Sequence, residues 1–529
     1  MAPRASRGSS EGHVIRRRKP ASPAPAVDPD ALRLEGRILR NTGWVALSLG
    51  GKQIGSLIAL FVLARLLEPA DFGVVALAWT VLYFVEQIQE TGVGSALIYR
   101  RRDIETAAAS ALVYSPLAGA LFYGLVFAAA PFFARFLHAP DLVDVLRVMA
   151  LVLVFRGLGV VPGAILERSL DFRSRMVAEL GAATVQLSLS VGLAFSGFGV
   201  WSLVLGTLAG AASQTALYWF LVPWRPSPRL ASRRVLLELM RYGRFVGATS
   251  ILAVMANSVD NVVVSRVLGT ASVGLYSVAF RLADFPNAVI GHVVGRPMFS
   301  VYSMLQHDLA AFRHAYVRNL ERVALLAVPA SVGLAIAAEP IVLALLGEKW
   351  LPAVPALRIL AIYGLIKSFG SMSVEALKGI GAPQWNLALA LSYVGVVIPT
   401  LALLTRKLEL TGAAIAVLVA VSATAVPTVA ITARKVGLSG RELARHLAPS
   451  AFCSALLAVT LAVMLRASES MSPAASLALL ITVGFTVYVL TTALFARSVV
   501  VPMWLSLRSG RGLETMASPR SGGYPPQGP

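Results

Sequence analysis

The sequence predicts an all-α polytopic membrane protein of about fourteen transmembrane helices, arranged as two six-helix pseudo-repeat lobes followed by two C-terminal helices. Three observations predict it: an apolar composition, basic residues gathered in alternate loops, and an internal repeat. Of 529 residues, 57% are hydrophobic and 14% charged, where a soluble domain carries about 25% charged residues. The mean hydropathy of +0.72 means more apolar surface than a soluble chain of this length can bury. Lys and Arg number 47 against 27 Asp and Glu, a net charge of +20. Read alone, a pI of 10.6 points to nucleic acid; beside this hydropathy it does not, and no nucleic-acid partner is expected. Disorder needs low hydrophobicity. A membrane β-barrel would show alternating segments of about 10 residues in place of long apolar runs. The one cysteine, Cys453, excludes an internal disulfide and reads as a small buried hydrophobe. The six histidines are scattered, and no HExxH, CxxC or P-loop signature occurs. No metal, other cofactor or catalytic residue is therefore expected.

Residues 1–40 contain Arg16-Arg17-Arg18-Lys19-Pro20 and no apolar signal-peptide core. They read as a disordered basic cytoplasmic tail that anchors topology or touches anionic membrane lipid. Spans near the ~20 residues that a bilayer requires follow at 42–66, 72–98, 107–130, 142–165, 177–197 and 199–221. With their loops they make an N-terminal lobe over 41–230. Spans at 244–266, 273–298, 320–338, 353–377, 385–404 and 412–433 make a C-terminal lobe over 231–440. Two more, at 448–466 and 474–495, lie within 441–497, and 498–529 is a second disordered cytoplasmic tail. With the N-terminus inside, the tails and inner segments hold 34 Lys and Arg and the outer loops 7. This positive-inside bias puts both termini in the cytoplasm. It also supports the span count, because one missed span would invert every later loop.

The chain resembles itself. Leu146-Arg147-Val148-Met149-Ala150 aligns with Leu357-Arg358-Ile359-Leu360-Ala361 at an offset of 211, which also brings Arg156 onto Lys367 and Gly159 onto Gly370. Ala64-Arg65-Leu66-Leu67 aligns with Ser265-Arg266-Val267-Leu268 at an offset of 201, with Gly73 on Gly274. Six spans is an even number, so the two copies run parallel. Two such lobes facing each other are a transporter plan with its site at the repeat interface.

Six basic residues remain inside spans: Lys52, Arg147, Arg156, Arg281, Arg358 and Lys367. Each costs ~2.5–3.5 kcal/mol at the bilayer centre, so some must face protein or water, or snorkel. Arg147 and Arg358 lie near the outer ends of their spans, where they snorkel or line an outer cavity. Arg156 and Lys367 lie nine residues deeper. Lys52 is mid-span, and Arg281 has Asp284 at i+3, a spacing at which the two partly neutralise each other. Of the sparse acids, Glu86 and Glu90 share a face of the second span, and Asp260 sits between Asn257 and Asn261. Asp260, Asp284 and Glu86 are candidates for H⁺ or Na⁺ coupling or gating; Asp260 reads equally as an interhelical hydrogen-bond acceptor. A cationic cavity between lobes suits an anionic substrate.

Residues Ala64 to Gly73 (ARLLEPADFG) resemble the signature after the first helix of Wzx-type polysaccharide-repeat-unit flippases, within the multidrug/oligosaccharidyl-lipid/polysaccharide (MOP) exporter superfamily. Phe198 to Leu203 (FGVWSL), Pro223 to Pro226 (PWRP), Leu346 to Pro355 (LGEKWLPAVP), and the stretch from Ser258 through Gly269 are similar to the same family. The likeness covers about residues 40–495. It implies a two-lobed bundle that exports an undecaprenyl-pyrophosphate-linked oligosaccharide across the bacterial inner membrane by alternating access, driven by an ion gradient or membrane potential, with polysaccharide polymerases as candidate partners. It also implies that Lys52, Arg156, Arg281 and Lys367 contact pyrophosphate or acidic sugars. The signature around Arg65, Pro69, Asp71 and Gly73 reads as a structural turn. The long basic N-terminal tail departs from the family's short start. A lipid II flippase of the same superfamily would share the cationic cavity. A multidrug or cation antiporter would want deep acids and few bases, and a polysaccharide polymerase or ligase would want a large outer loop.

Overall fold

The computed structural model describes residues 55–90, 103–223, 227–238, 258–290, 296–381 and 384–495, with Gly51, Gln53, Val93, Gly94, Leu97, Arg100 and Arg225 besides. The tails expected over 1–40 and 498–529, and most of the span expected at 244–266, lie outside the described residues. Among the described residues the regular elements are helices, and ten are long and apolar enough to cross a bilayer.

A shorter apolar helix, α1 (Gly55–Leu66), leads into α2 (Pro69–Glu90). Pro69 occupies the first helical position, where its missing N–H is no loss. Asp71 in the first turn accepts the Glu68 N–H at 3.0 Å and opposes the helix dipole. α3 (Ile104–Phe136) follows; its 33 residues outreach the ~20 that a bilayer needs. α4 (Leu142–Met149) and α5 (Leu151–Arg168) form one membrane path with a break at Ala150. α6 (Phe172–Phe195), capped by Asp171 on the Ser174 N–H, packs against α7 (Val200–Leu221). The following segment folds back on this half: the Ser232 N–H reaches Ser110 Oγ at 2.9 Å and Glu238 pairs with Arg100 at 3.0 Å.

The second half holds α8 (Val259–Leu268), α9 (Thr270–Ile290), α10 (Arg296–Met304), α11 (Leu309–Ile336), α12 (Val354–Gly379) and α13 (Gln384–Lys435). α13 has 52 residues, far more than one crossing needs. Its Glu409 breaks the helix at φ 52°, ψ −131°. A methyl group on Gly412 would strike the Leu404 carbonyl, although in a straight helix the two lie about 12 Å apart along the axis. The chain therefore doubles back there, and α13 is two helices joined at Glu409, in the region where spans were expected at 385–404 and 412–433. The final pair, α14 (Gly440–Ala467) and α15 (Pro473–Phe495), docks on α11. Arg313 pairs with Glu442 at 3.0 Å, His446 Nδ1 lies 2.8 Å from Glu321, and the Tyr488 hydroxyl donates to the Leu325 carbonyl at 2.6 Å.

Leu117, Phe220 and Phe485 stand 64%, 83% and 71% exposed. Such outward apolar faces suit hydrocarbon, not water. Inside, the main hydrophobic cluster runs through both halves, from Leu60, Phe72 and Leu142 to Val273, Trp350 and Val417. Other clusters stay within one half, around Tyr302 and Tyr316 in the second and around Ala107 and Ala178 in the first.

Candidate functional site: a cavity between the halves

The halves are bolted together at the end that holds residues 64–72 and 338–353. α2 and α9 cross there at Gly73 and Gly274, the two glycines that the repeat makes equivalent. A Cβ on Gly73 would collide with the Thr270 carbonyl, and one on Gly274 with the Pro69 carbonyl. Only a residue without a side chain allows this approach. Around the crossing, the Arg65 guanidinium donates to the Leu345 carbonyl at 3.2 Å and to the Ala344 carbonyl. Lys349 lies 3.5 Å from Glu68. Trp350, fully buried, donates its indole N–H to the Ala64 carbonyl at 2.9 Å and meets the Phe72 ring edge-on at 5.3 Å. The Ser265 hydroxyl donates to the Leu137 carbonyl at 2.6 Å, and Arg266 covers the Phe136 ring. The ARLLEPADFG and LGEKWLPAVP segments thus form a clamp between halves, a larger role than the turn expected from sequence. Among the described residues no hydrogen bond or ion pair joins the halves at the opposite end.

Beyond the crossing, α2 and α9 separate and enclose a cavity of about 340 Å³. A second space of about 300 Å³ reaches between α1, α2, α6 and α7, and Trp79 and Arg281 border both. These volumes fall at the lower end of the ~300–1,000 Å³ common for small-molecule sites. Arg281 projects from α9 into this space. Among the described residues it has no ion pair and no hydrogen bond. Asp284, expected as its i+3 partner, instead binds Lys367 of α12 at 3.0 Å. Residues three apart diverge by about 60° on a helix, enough to turn Asp284 toward α12 and leave Arg281 in the cavity.

Lys367 and Arg156 stand one layer behind the wall and form matched devices in the two halves. Arg156 binds Glu86 of α2 at 2.5 Å and covers the Trp79 ring at 5.5 Å. Lys367 binds Asp284 of α9 and lies 5.7 Å from the Phe280 ring. Trp79 and Phe280 are 201 residues apart, the repeat offset of this region. The acids are not equivalent: Asn287 holds the place of Glu86 and donates to Asp284 at 3.1 Å. Glu86 is 4% exposed, so Arg156→Ala would take an ion-pair partner from a buried carboxylate, a loss of about 3 kcal/mol. That variant is expected to melt at a lower temperature, and Glu86→Gln added to it should restore most of the loss. A double variant no more stable than the single one would show that the pair is not coupled.

Asp260 lies in the cavity wall, 6% exposed, accepting the Tyr276 hydroxyl at 3.0 Å. Its neighbour Asn261 donates to Thr80 of the other half at 3.3 Å. Arg147 and Arg358 do not border either space. Arg147 lies over the Phe127 ring at 4.7 Å, and Arg358 sits 3.4 Å from Glu339. Lys52 and the Glu90 side chain lie outside the described residues. The aromatic wall of Trp79, Tyr83 and Phe280 escaped the sequence reading, which searched the spans for charge; the pairing of Trp79 with Phe280 at the repeat offset was the available signal.

Two helical halves closed at one end around a cavity bordered by Arg281, a cation with no ion pair among the described residues, define a multi-pass membrane transporter fold. Solved structures of this fold include the lipid II flippase MurJ in an inward closed conformation, with a TM-score of 0.71 at 14% identity over 86% of this chain and 99% of that one. A multidrug resistance MATE family transporter of the MOP superfamily, in an inward-facing conformation, gives 0.58 at 20% identity over 73% and 94%. The family model described as "Polysaccharide biosynthesis protein" matches residues 62–355, and the chain belongs to this family. Relatives include the succinoglycan biosynthesis transport protein ExoT of Rhizobium meliloti, 31% identical over 68% of this chain and 74% of its own length. The teichuronic acid biosynthesis protein TuaB of Bacillus subtilis is 22% identical over 68% and 75%. The lipopolysaccharide biosynthesis protein WzxC of Escherichia coli is 24% identical over 60% and 64%.

Proposed function

We propose that the protein flips an undecaprenyl-pyrophosphate-linked oligosaccharide repeat unit from the inner to the outer leaflet of the bacterial inner membrane, for O-antigen, capsule or exopolysaccharide assembly. Arg281 carries this reading. A guanidinium without a partner among the described residues, held between the halves of a membrane bundle, is costly unless it serves an anion, and its planar fork matches phosphate oxygens. The family membership supports the polysaccharide class of cargo. The basic segments at 168–175, 296–322 and 434–445 lie at the end opposite the clamp, which makes the open end cytoplasmic and keeps both termini there. Substrate enters from that side, the diphosphate settles on Arg281, and the clamp opens to release it outside. Arg156 and Lys367 add positive potential from behind the wall when Glu86 and Asp284 release them. Asp260 is the site of H⁺ or Na⁺ coupling, while Glu86 and Asp284 gate by holding or releasing their bases. A polysaccharide polymerase receives the product.

Deletion of the gene tests the reading. Lipid-linked repeat units should accumulate in the cytoplasmic leaflet and surface polysaccharide should disappear. Accumulation of the cell-wall precursor in their place would assign the protein to lipid II instead.

A further inference from the structure

The cavity carries an aromatic surface that anion binding alone does not explain. Trp79 and Tyr83, one turn apart on α2, stack with ring centroids 4.7 Å apart and planes 22° from parallel. Trp79 is held in place by Tyr83 and by Arg156. Tyr83 lines the cavity yet stands 45% exposed. Among the described residues its hydroxyl has no hydrogen-bond partner. Arg281 borders the same cavity from the facing helix α9. Three groups in one enclosed space therefore want complementary partners: an aromatic face, a phenol and a guanidinium.

We propose that the Trp79–Tyr83 stack is the platform for the sugar joined directly to the diphosphate, so that the site recognises a glycosyl diphosphate and not a bare polyprenyl diphosphate. This rests on the reading of Arg281 as the diphosphate contact. A pyranose has a face of C–H bonds and a rim of hydroxyls. The C–H face lies on an aromatic ring, whose face is electron-rich, and the rim offers hydrogen-bond partners to the Tyr83 hydroxyl. The diphosphate leaves from the anomeric carbon at the edge of the sugar ring, so its cation must stand beside the platform. α2 supplies the platform and α9, across the cavity, the cation. A free phosphate or an unglycosylated lipid would use only the second of these.

The test measures binding of two probes to the full-length protein in lipid nanodiscs: undecaprenyl diphosphate, and undecaprenyl diphosphate carrying one glucose. Tyr83→Leu should weaken the glycosylated probe about fivefold and leave the bare diphosphate unchanged. Tyr83→Trp, which keeps the stack, should preserve the preference for the glycosylated probe. Equal weakening of both probes by Tyr83→Leu, or no change in either, would overturn the platform. Arg281→Ala reports separately on the diphosphate contact and should weaken both probes. If it weakens neither, that reading fails by itself, and the platform still stands or falls on the ratio measured with Tyr83→Leu.

Discussion

Arg281→Ala is expected to abolish export while the protein remains folded and inserted. Hydrogen bonds to a charged group contribute about 1.5–3 kcal/mol each, so removal of the guanidinium should weaken diphosphate binding by roughly one to two orders of magnitude. Because Arg281 has no partner among the described residues, its removal breaks no ion pair there, unlike the loss of Arg156, which binds Glu86. Stability should stay level or rise slightly, since an unpaired charge is taken out of the bundle. Arg281→Lys should retain part of the activity, as a point charge without the bidentate fork. The measurements are surface polysaccharide in a deletion strain complemented with each variant, and the amount of protein in the membrane. Full surface polysaccharide with Arg281→Ala would remove the cavity from the mechanism.

Gly274→Val should force the clamp open. The valine Cβ would meet the backbone carbonyl of Pro69, which cannot rotate away as the tip of a flexible side chain would. Overpacking of this kind costs about 1–3 kcal/mol where neighbours can shift; here the relief is for α2 and α9 to move apart at their crossing. Disulfide trapping can read this directly. Cys453 is the one native thiol and is buried, so a Cys453→Ser background is easily made. Leu137→Cys and Ser265→Cys, whose carbonyl and side chain now share a hydrogen bond, lie on opposite sides of the clamp. Oxidation should join them in the parent and much less in Gly274→Val, with loss of export. Gly73→Val should behave alike, and the two effects should not add, because they disrupt one contact. Undiminished cross-linking would mean that the crossing is not what holds the clamp.

Much of the fold could be read in advance, because each crossing is encoded within its own twenty residues. The spans expected at 385–404 and 412–433 are separable in the sequence, and the backbone breaks between them at Glu409. The repeat that aligns Gly73 with Gly274 anticipated equivalent places in the two halves, and in three dimensions those residues touch. The site was legible only as a shortlist. Arg281 was expected to pair with Asp284 and has no ion pair among the described residues, since Asp284 turned to Lys367, 83 residues further on. Arg156 and Lys367 were expected to face the lumen and stand behind its wall. Tyr83 and Trp79 drew no notice, because aromatic residues are ordinary within apolar spans.

The chain by itself determined that this is a helical membrane protein, and set where its spans and its orientation are expected. Hydropathy and basic residues act locally, through the solvent that each segment meets, so their pattern along the chain is sufficient. Only the tertiary structure decided which cations are neutralised, which glycines touch and which aromatic rings line the cavity. Those outcomes depend on distances of a few ångströms between helices that lie up to some 280 residues apart, and sequence separation carries no record of that distance. Of the five basic residues within the spans that the structure describes, it is the packing around them that singles out Arg281.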